Sequence, residues 1–320
     1  MSNEQKRIAL NTYKPKDADR TFFGVASIAA LFSLLLVFLM LAFLLSGSWT
    51  TFQEQGLAFV TGSIWEASAE VPTFQIFPML YGSFLISLLG LVIAVPISIA
   101  TAYFIEFMAG NKVSKFFTSV IDLLAALPSI VIGIWGLLVL TPVATGWSEL
   151  LTKHLGFIPI FANDEPNAFR SPFIAGFVVA IMIIPIITSV TREVMSRVDK
   201  ELISAAFALG GTSFSSLRRV VIPTAKSGIL GGILLGLGRA LGETVAIYYV
   251  LNLLFETNFY SILEPRGGSI ASLIISRFGE ATQIELNALM AAGVVLFIFT
   301  LVVNMFATAI VQRAEKRMAS

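Results

Sequence analysis

Six stretches of this chain stay apolar over the roughly 20 residues that a helix needs to cross a bilayer core of about 30 Å, and no other feature restricts its folding as much. They run near Phe22 to Leu45, Met79 to Phe107, Phe116 to Val143, Phe173 to Val190, Ser227 to Phe255 and Leu286 to Val311. The expected fold is therefore all-α, a polytopic membrane protein with six transmembrane helices. Composition agrees: 56% of the 320 residues are hydrophobic and 13% are charged, against about a quarter charged in soluble domains. The first apolar run follows a polar tail and is too long for a signal-peptide core, so it reads as a retained anchor.

The basic residues set the orientation. The tail, the 108–115 turn, the 191–226 segment and the C-terminus together hold sixteen Lys and Arg. The opposite side holds four: Lys153, Arg170, Arg266 and Arg277. Both termini are thus expected in the cytoplasm. The chain divides into an N-terminal tail (1–21), a first helix with its outer loop (22–78), a five-helix core (79–312) that includes a charged segment (192–226), and a C-terminal tail (313–320). The outer segments carry ten acidic residues, so the outer face offers an anion no general attraction. Trp49, Trp65, Trp147, Phe157 and Phe161 suit the lipid headgroup region.

Several chemistries are excluded. There is no cysteine, and His154 is the single histidine, which removes disulfides, thiolate sites and imidazole-pair metal sites. No metal or cofactor is expected. A Ser–His pair, an intramembrane aspartate pair and an HExxH zinc motif are all missing, so an intramembrane enzyme has no reactive constellation. No GxxxxGK[ST] loop is present, so any ATP-driven work needs a separate subunit. Nothing in the charge pattern favours nucleic acid.

The segment Arg192 to Lys226 is amphipathic and too charged to span, and it should form short helices at the membrane surface. Ser204, Ala205 and Ala206 are followed by Gly210, then by Val220, Val221, Ile222 and Pro223. Glycine suits the break between two helices and proline the opening of the next. This spacing resembles the EAA loop of ABC importer permeases, with Ser204 standing where that family has glutamate. The resemblance implies a knob, at Ser204, Ala205, Ala206, Gly210 and Pro223, that an ATPase subunit grips. Glu201, one turn earlier, is a substitute for the missing acid.

The fifth run carries two charges, Arg239 and Glu243. Counted from the start of that run at about 1.5 Å per residue, Arg239 falls roughly 18 Å in, near the midplane. An arginine there costs at least about 2.5 to 3.5 kcal/mol, which makes it a candidate functional residue. One reading is a plain i, i+4 ion pair with Glu243, although the basic residue comes first, the weaker order. The other is an anion site, because guanidinium presents a planar fork of donors to an oxyanion where lysine is a point charge. Glycines recur around the pair at positions 228, 231, 232, 236, 238 and 242, a pattern that usually means close helix packing. Ser129, after Pro128, and Thr188 are further candidates on a substrate pathway, or else bond carbonyls that prolines free. Pro96, Pro128 and Pro185 fall inside apolar runs and can bend helices.

The string GLGRALGETVAIYYV resembles the matching helix of the PstC-type permease of phosphate-specific ABC transporters, as do ALPSIVIGIWGL, AIMIIPIITSVTREV and SIASLIISRFGEA. The likeness covers most of the chain from about Tyr81 onward. It implies a type I permease that moves inorganic phosphate across the cytoplasmic membrane by alternating access, with Arg239 and Glu243 on its path. Its implied partners are a homologous PstA-type permease, two PstB-type ATPases and a soluble PstS-type phosphate-binding protein. Competing readings are the PstA-type role itself, import of another oxyanion such as sulfate or molybdate, and a passive anion channel. A channel has no need for a segment that grips a motor.

Overall fold

A computed structural model describes residues 17–163, 169–257 and 259–319. It divides into two compact units, Met1–Gly47 and Ser48–Ser320. In the first, the described residues form the greater part of helix α1 (Asp17–Gln55). From 21 to 40 every side chain of α1 is exposed. A helix this long and this apolar on all faces suits a membrane span.

The second unit begins in the last turns of α1, where Phe52 meets Phe59 edge to face at 5.7 Å. A short helix, α2 (Ala58–Thr61), follows, then two antiparallel two-residue strands, β1 (Trp65–Glu66) and β2 (Thr73–Phe74). The Trp65 ring stacks on Phe255 at 5.8 Å, and its Nε1 donates to Glu285 Oε1 at 2.8 Å. This tryptophan therefore ties the hairpin to the protein. It is no free headgroup anchor.

The remaining helices are α3 (Phe77–Tyr103), α4 (Asn111–Ala126), α5 (Ser129–Trp135), α6 (Thr141–Leu155), α7 (Pro172–Met195), α8 (Lys200–Ala208), α9 (Ser213–Ser216), α10 (Ile222–Gly242), α11 (Val245–Val250), α12 (Ile270–Arg277) and α13 (Gln283–Ala319). Single π-turns at 104–108, 136–140 and 217–221 extend α3, join α5 to α6 and join α9 to α10. With α1, six helical runs are long and apolar enough to span a membrane.

Helix α7 is the centre of the second unit, with most of its side chains buried. Helix α3 lies along it. Gly176 faces Leu89, whose Cβ is 2.8 Å from where a Cβ on this glycine would sit, and Gly90 faces Val179. Ser98 Oγ donates to the Ile184 carbonyl at 3.2 Å beside Pro185. With no hydrophobic force between helices in lipid, close approach at small residues and such hydrogen bonds supply the attraction.

Two spans depart from the sequence reading. The third does not run Phe116 to Val143 but Ser129 to Leu155. Proline disfavours helical backbone in the residue before it, and Leu127 and Pro128 are both extended, with ψ of 132° and 136°. The stretch before the break becomes α4, amphipathic and separate, which Arg192 Nη1 holds through Thr118 Oγ1 at 3.0 Å. Span three instead takes in 141–155, carrying Trp147 to within 5.5 Å of the Phe177 ring. The fifth span is also broken. It stops at Gly242 and restarts as α11, and it does not continue to Phe255.

Candidate functional site

The break in the fifth span has a local cause. Glu243 leaves the helix with an extended backbone, φ −70° and ψ 126°, and its Oε1 accepts from the Ala246 amide at 3.3 Å. Its carboxylate thus caps the first turn of α11, whose amides lack partners inside that helix. Glu243 is only 7% exposed. Arg239 lies in the last turn of α10, where the unpaired carbonyls carry partial negative charge that favours a cation. In an unbroken run from Ser227 to Phe255 it would stand mid-helix. Interrupted backbone at membrane depth is tolerated where it lines a cavity or is buried in protein, and this one lines a cavity.

That cavity is an open cleft of about 750 Å³ between α10, α13 and Ile186 of α7. Arg239, Glu243, Gly238, Gly242, Asn304 and Thr308 line it. Arg239 is exposed to it, and among the described residues no ion pair joins Arg239 to Glu243. The plain ion-pair reading is not what the geometry shows. Asn304 Oδ1 is buried with no hydrogen-bond partner, while its carbonyl accepts from Thr308 Oγ1 at 2.7 Å. Sequence reasoning passed over Asn304 and Thr308. An amide in the middle of LVVNMFATAIV was the available signal.

The glycines of α10 separate into two faces. Gly228, Gly232 and Gly236, four residues apart, back onto α7. A Cβ at Gly236 would stand 2.7 Å from Ile187 Cδ1, one at Gly232 would stand 3.2 Å from Val190 Cβ, and one at Gly228 would strike Val194. Gly231, Gly238 and Gly242 have nothing within 4 Å of such a Cβ and line the cleft. One face packs and the other keeps the cleft open. The remaining pathway candidates lie elsewhere: Ser129 opens α5, and Thr188 is fully buried on α7 with no partner for its Oγ1. Neither lines the cleft.

The charged segment forms the two short helices expected of it. Asp199 caps α8 by accepting from the Glu201 amide at 2.9 Å. Gly210 ends that turn at φ +79°, a left-handed conformation that glycine adopts without strain. Ser204 Oγ donates to the Lys200 carbonyl of its own helix at 3.0 Å. Ser204, Ala205, Gly210 and Pro223 are exposed and Ala206 partly so. The inner side is anchored: Ile203, Val221, Ala225 and Ile229 share a core with Met195 and Tyr103, and Tyr103 Oη donates to the Ser213 carbonyl at 3.0 Å. The outer side is apolar and bare, with Leu202, Phe207, Leu209 and Phe214 between 45% and 89% exposed.

Comparison with known proteins adds an independent line. Residues 94–320 match the family described as binding-protein-dependent transport system inner membrane component. A phosphate transport system permease protein PstC of Xylella fastidiosa is 36% identical over 94% of each chain. The PstC of Haemophilus influenzae is 37% identical over 90% of this chain and 92% of its own. In three dimensions, a chain of the bacterial alginate ABC transporter, solved with an alginate-loaded periplasmic protein, superposes with a TM-score of 0.60 at 16% identity. That alignment covers 93% of this chain and 96% of the other, and it bears on the fold alone.

Proposed function

The chain belongs to the PstC-type permeases, multi-pass inner-membrane components of binding-protein-dependent transport systems, and on that premise we propose that it translocates inorganic phosphate as one permease subunit of an ATP-driven importer. The observation that carries the reading is Arg239, exposed in a cleft beside the break of a membrane helix and unpaired with the acid four residues on. Guanidinium can present parallel donors to a phosphate dianion there. Glu243 keeps the break open by capping α11, and Asn304 offers a further polar group. The chain is a transport component and not an enzyme. Hydrolysis of ATP falls to a separate subunit.

The complete machine in this reading holds a PstA-type permease, two PstB-type ATPases and a PstS-type binding protein. Both termini face the cytoplasm, where the bare apolar side of α8 and α9 meets an ATPase. Closure of the ATPases pushes this segment, and Ile203 with the shared core below it passes the movement to α3, α7 and α10. The cleft then opens alternately to the two sides of the membrane.

The test is ATP-driven uptake of radiolabelled phosphate into vesicles containing the full complex. Arg239→Ala is expected to abolish uptake with the complex still assembled, and sulfate is expected not to compete. Parental uptake by the variant would return Arg239 to a structural role, and competition by sulfate would move the substrate to another oxyanion.

A further inference from the structure

A second arginine lies in a different cavity. Arg170, directly before α7, is the only residue other than glycine with positive φ among the described residues, at +61°. Left-handed backbone is unfavourable for a residue with a Cβ and persists where the surroundings enforce it. The enforcing contacts are visible. Ser171 is extended ahead of Pro172, the Asn252 amide donates to the Arg170 carbonyl at 3.3 Å, and the Phe173 amide donates to the Ile262 carbonyl at 3.0 Å.

The conformation commits the side chain to a cavity of about 360 Å³, which Arg170 shares with Tyr248, Tyr249, Asn252 and Ser272. Its Nε is buried and has no hydrogen-bond partner, and its guanidinium carbon stands 5.7 Å from the centre of the Phe169 ring. No ion pair among the described residues engages it. A buried guanidinium N–H left unpaired is costly, and a cavity lined by two phenols and a carboxamide supplies the polar setting for an anion that would satisfy it, the Ser272 hydroxyl being already donated to the Ser269 carbonyl. The cavity is linked to the cleft by α11: Glu243 caps one end of this six-residue helix, about 9 Å long, and Tyr248 and Tyr249 lie near the other.

We propose that Arg170, with Asn252 and the two tyrosines, forms an outer way station that receives a phosphate ion before it reaches the Arg239 cleft. The proposal rests on the phosphate-importer reading and on its orientation. Both acidic composition and local geometry make sense on this view, because the outer segments repel anions in general and the attraction is confined to one guanidinium.

Two measurements test it on the full complex. Arg170→Gly removes the side chain and keeps the left-handed backbone free of strain, and it is expected to slow phosphate uptake about tenfold, with Arg170→Lys partly restoring it because charge survives and the fork does not. Uptake by Arg170→Gly at the parental rate overturns the way station and leaves the importer reading standing, whereas a parent complex that takes up no phosphate sinks both. The second measurement needs no variant: inorganic phosphate is expected to slow phenylglyoxal modification of Arg170, followed by mass spectrometry. Arg197, exposed beside Glu193, should react at the same rate throughout. Equal modification of Arg170 with and without phosphate refutes a bound anion even if Arg170→Gly transports slowly.

Discussion

The breaks at Leu127–Pro128 and at Glu243–Thr244 both interrupt apolar runs that look continuous, yet they arise differently. The first is favoured by covalent geometry: proline disfavours helical backbone in its predecessor, and Leu127 takes the extended conformation that Val95 and Ile184, before Pro96 and Pro185 inside α3 and α7, do not. The second has no proline. It depends on one buried carboxylate turning back to the Ala246 amide, with Gly133 letting α5 approach so closely that a Cβ there would stand 2.7 Å from Ala246 Cα. The first break divides the amphipathic helix α4 from a span. A break made by a side chain at membrane depth needs a supporting cavity, and the charged residues gather there.

The largest expected effect separates the two roles of Glu243. Glu243→Gln keeps an acceptor for the Ala246 amide and removes the charge, whereas Glu243→Ala removes both. Phosphate uptake should fall more than about tenfold in Glu243→Ala, and loss of the cap should cost it about 1 kcal/mol of stability. If Glu243→Gln transports as the parent does, the acid is a cap and nothing more, and the contrast with Pro128 shrinks to one of chemistry alone.

A third interruption, at Gly210, extends the comparison to the charged segment. Replacement by valine sets a β-branched residue at φ +79° and should distort the exposed knob. Loss of ATPase co-purification with normal membrane insertion is the expected result, and a fully assembled complex would detach this turn from the coupling role proposed for it.

The two faces of α10 sharpen the contrast further. Gly236→Leu drives a side chain into Ile187 and should destabilise the detergent-solubilised protein by about 1 to 3 kcal/mol. Gly238→Ala meets open space, and its thermal midpoint should stay near the parent's. Equal shifts for both would mean that the cleft is closed in the working protein. The smallest effect belongs to Pro128→Ala, which should lower stability by about 0.4 to 1 kcal/mol through the freer unfolded chain. Much greater loss of uptake there than in Glu243→Ala would invert the comparison.

How much was legible follows the same division. Apolar length marked the spans, and the Ser204 to Pro223 spacing marked the two short helices with glycine at their joint. Arg239 stood out because a charge in an apolar run is costly. Span three was misplaced by about a dozen residues because 116–126 and 141–155 are each apolar enough to join 129–140. Arg170 passed as a loop residue, since nothing in its neighbours announces a left-handed turn.

By itself the sequence determined that this chain carries six helical runs long and apolar enough to span a membrane and two short helices jointed at a glycine, because hydrophobic length and local φ preferences act over neighbouring residues. Only the tertiary structure decided which glycines of α10 pack and which line the cleft, that Arg239 and Glu243 stand apart at a helix break, and that Asn304 joins them. Those outcomes depend on which side chain meets which across α7, α10 and α13, and a contact between distant residues leaves no periodic trace in either partner.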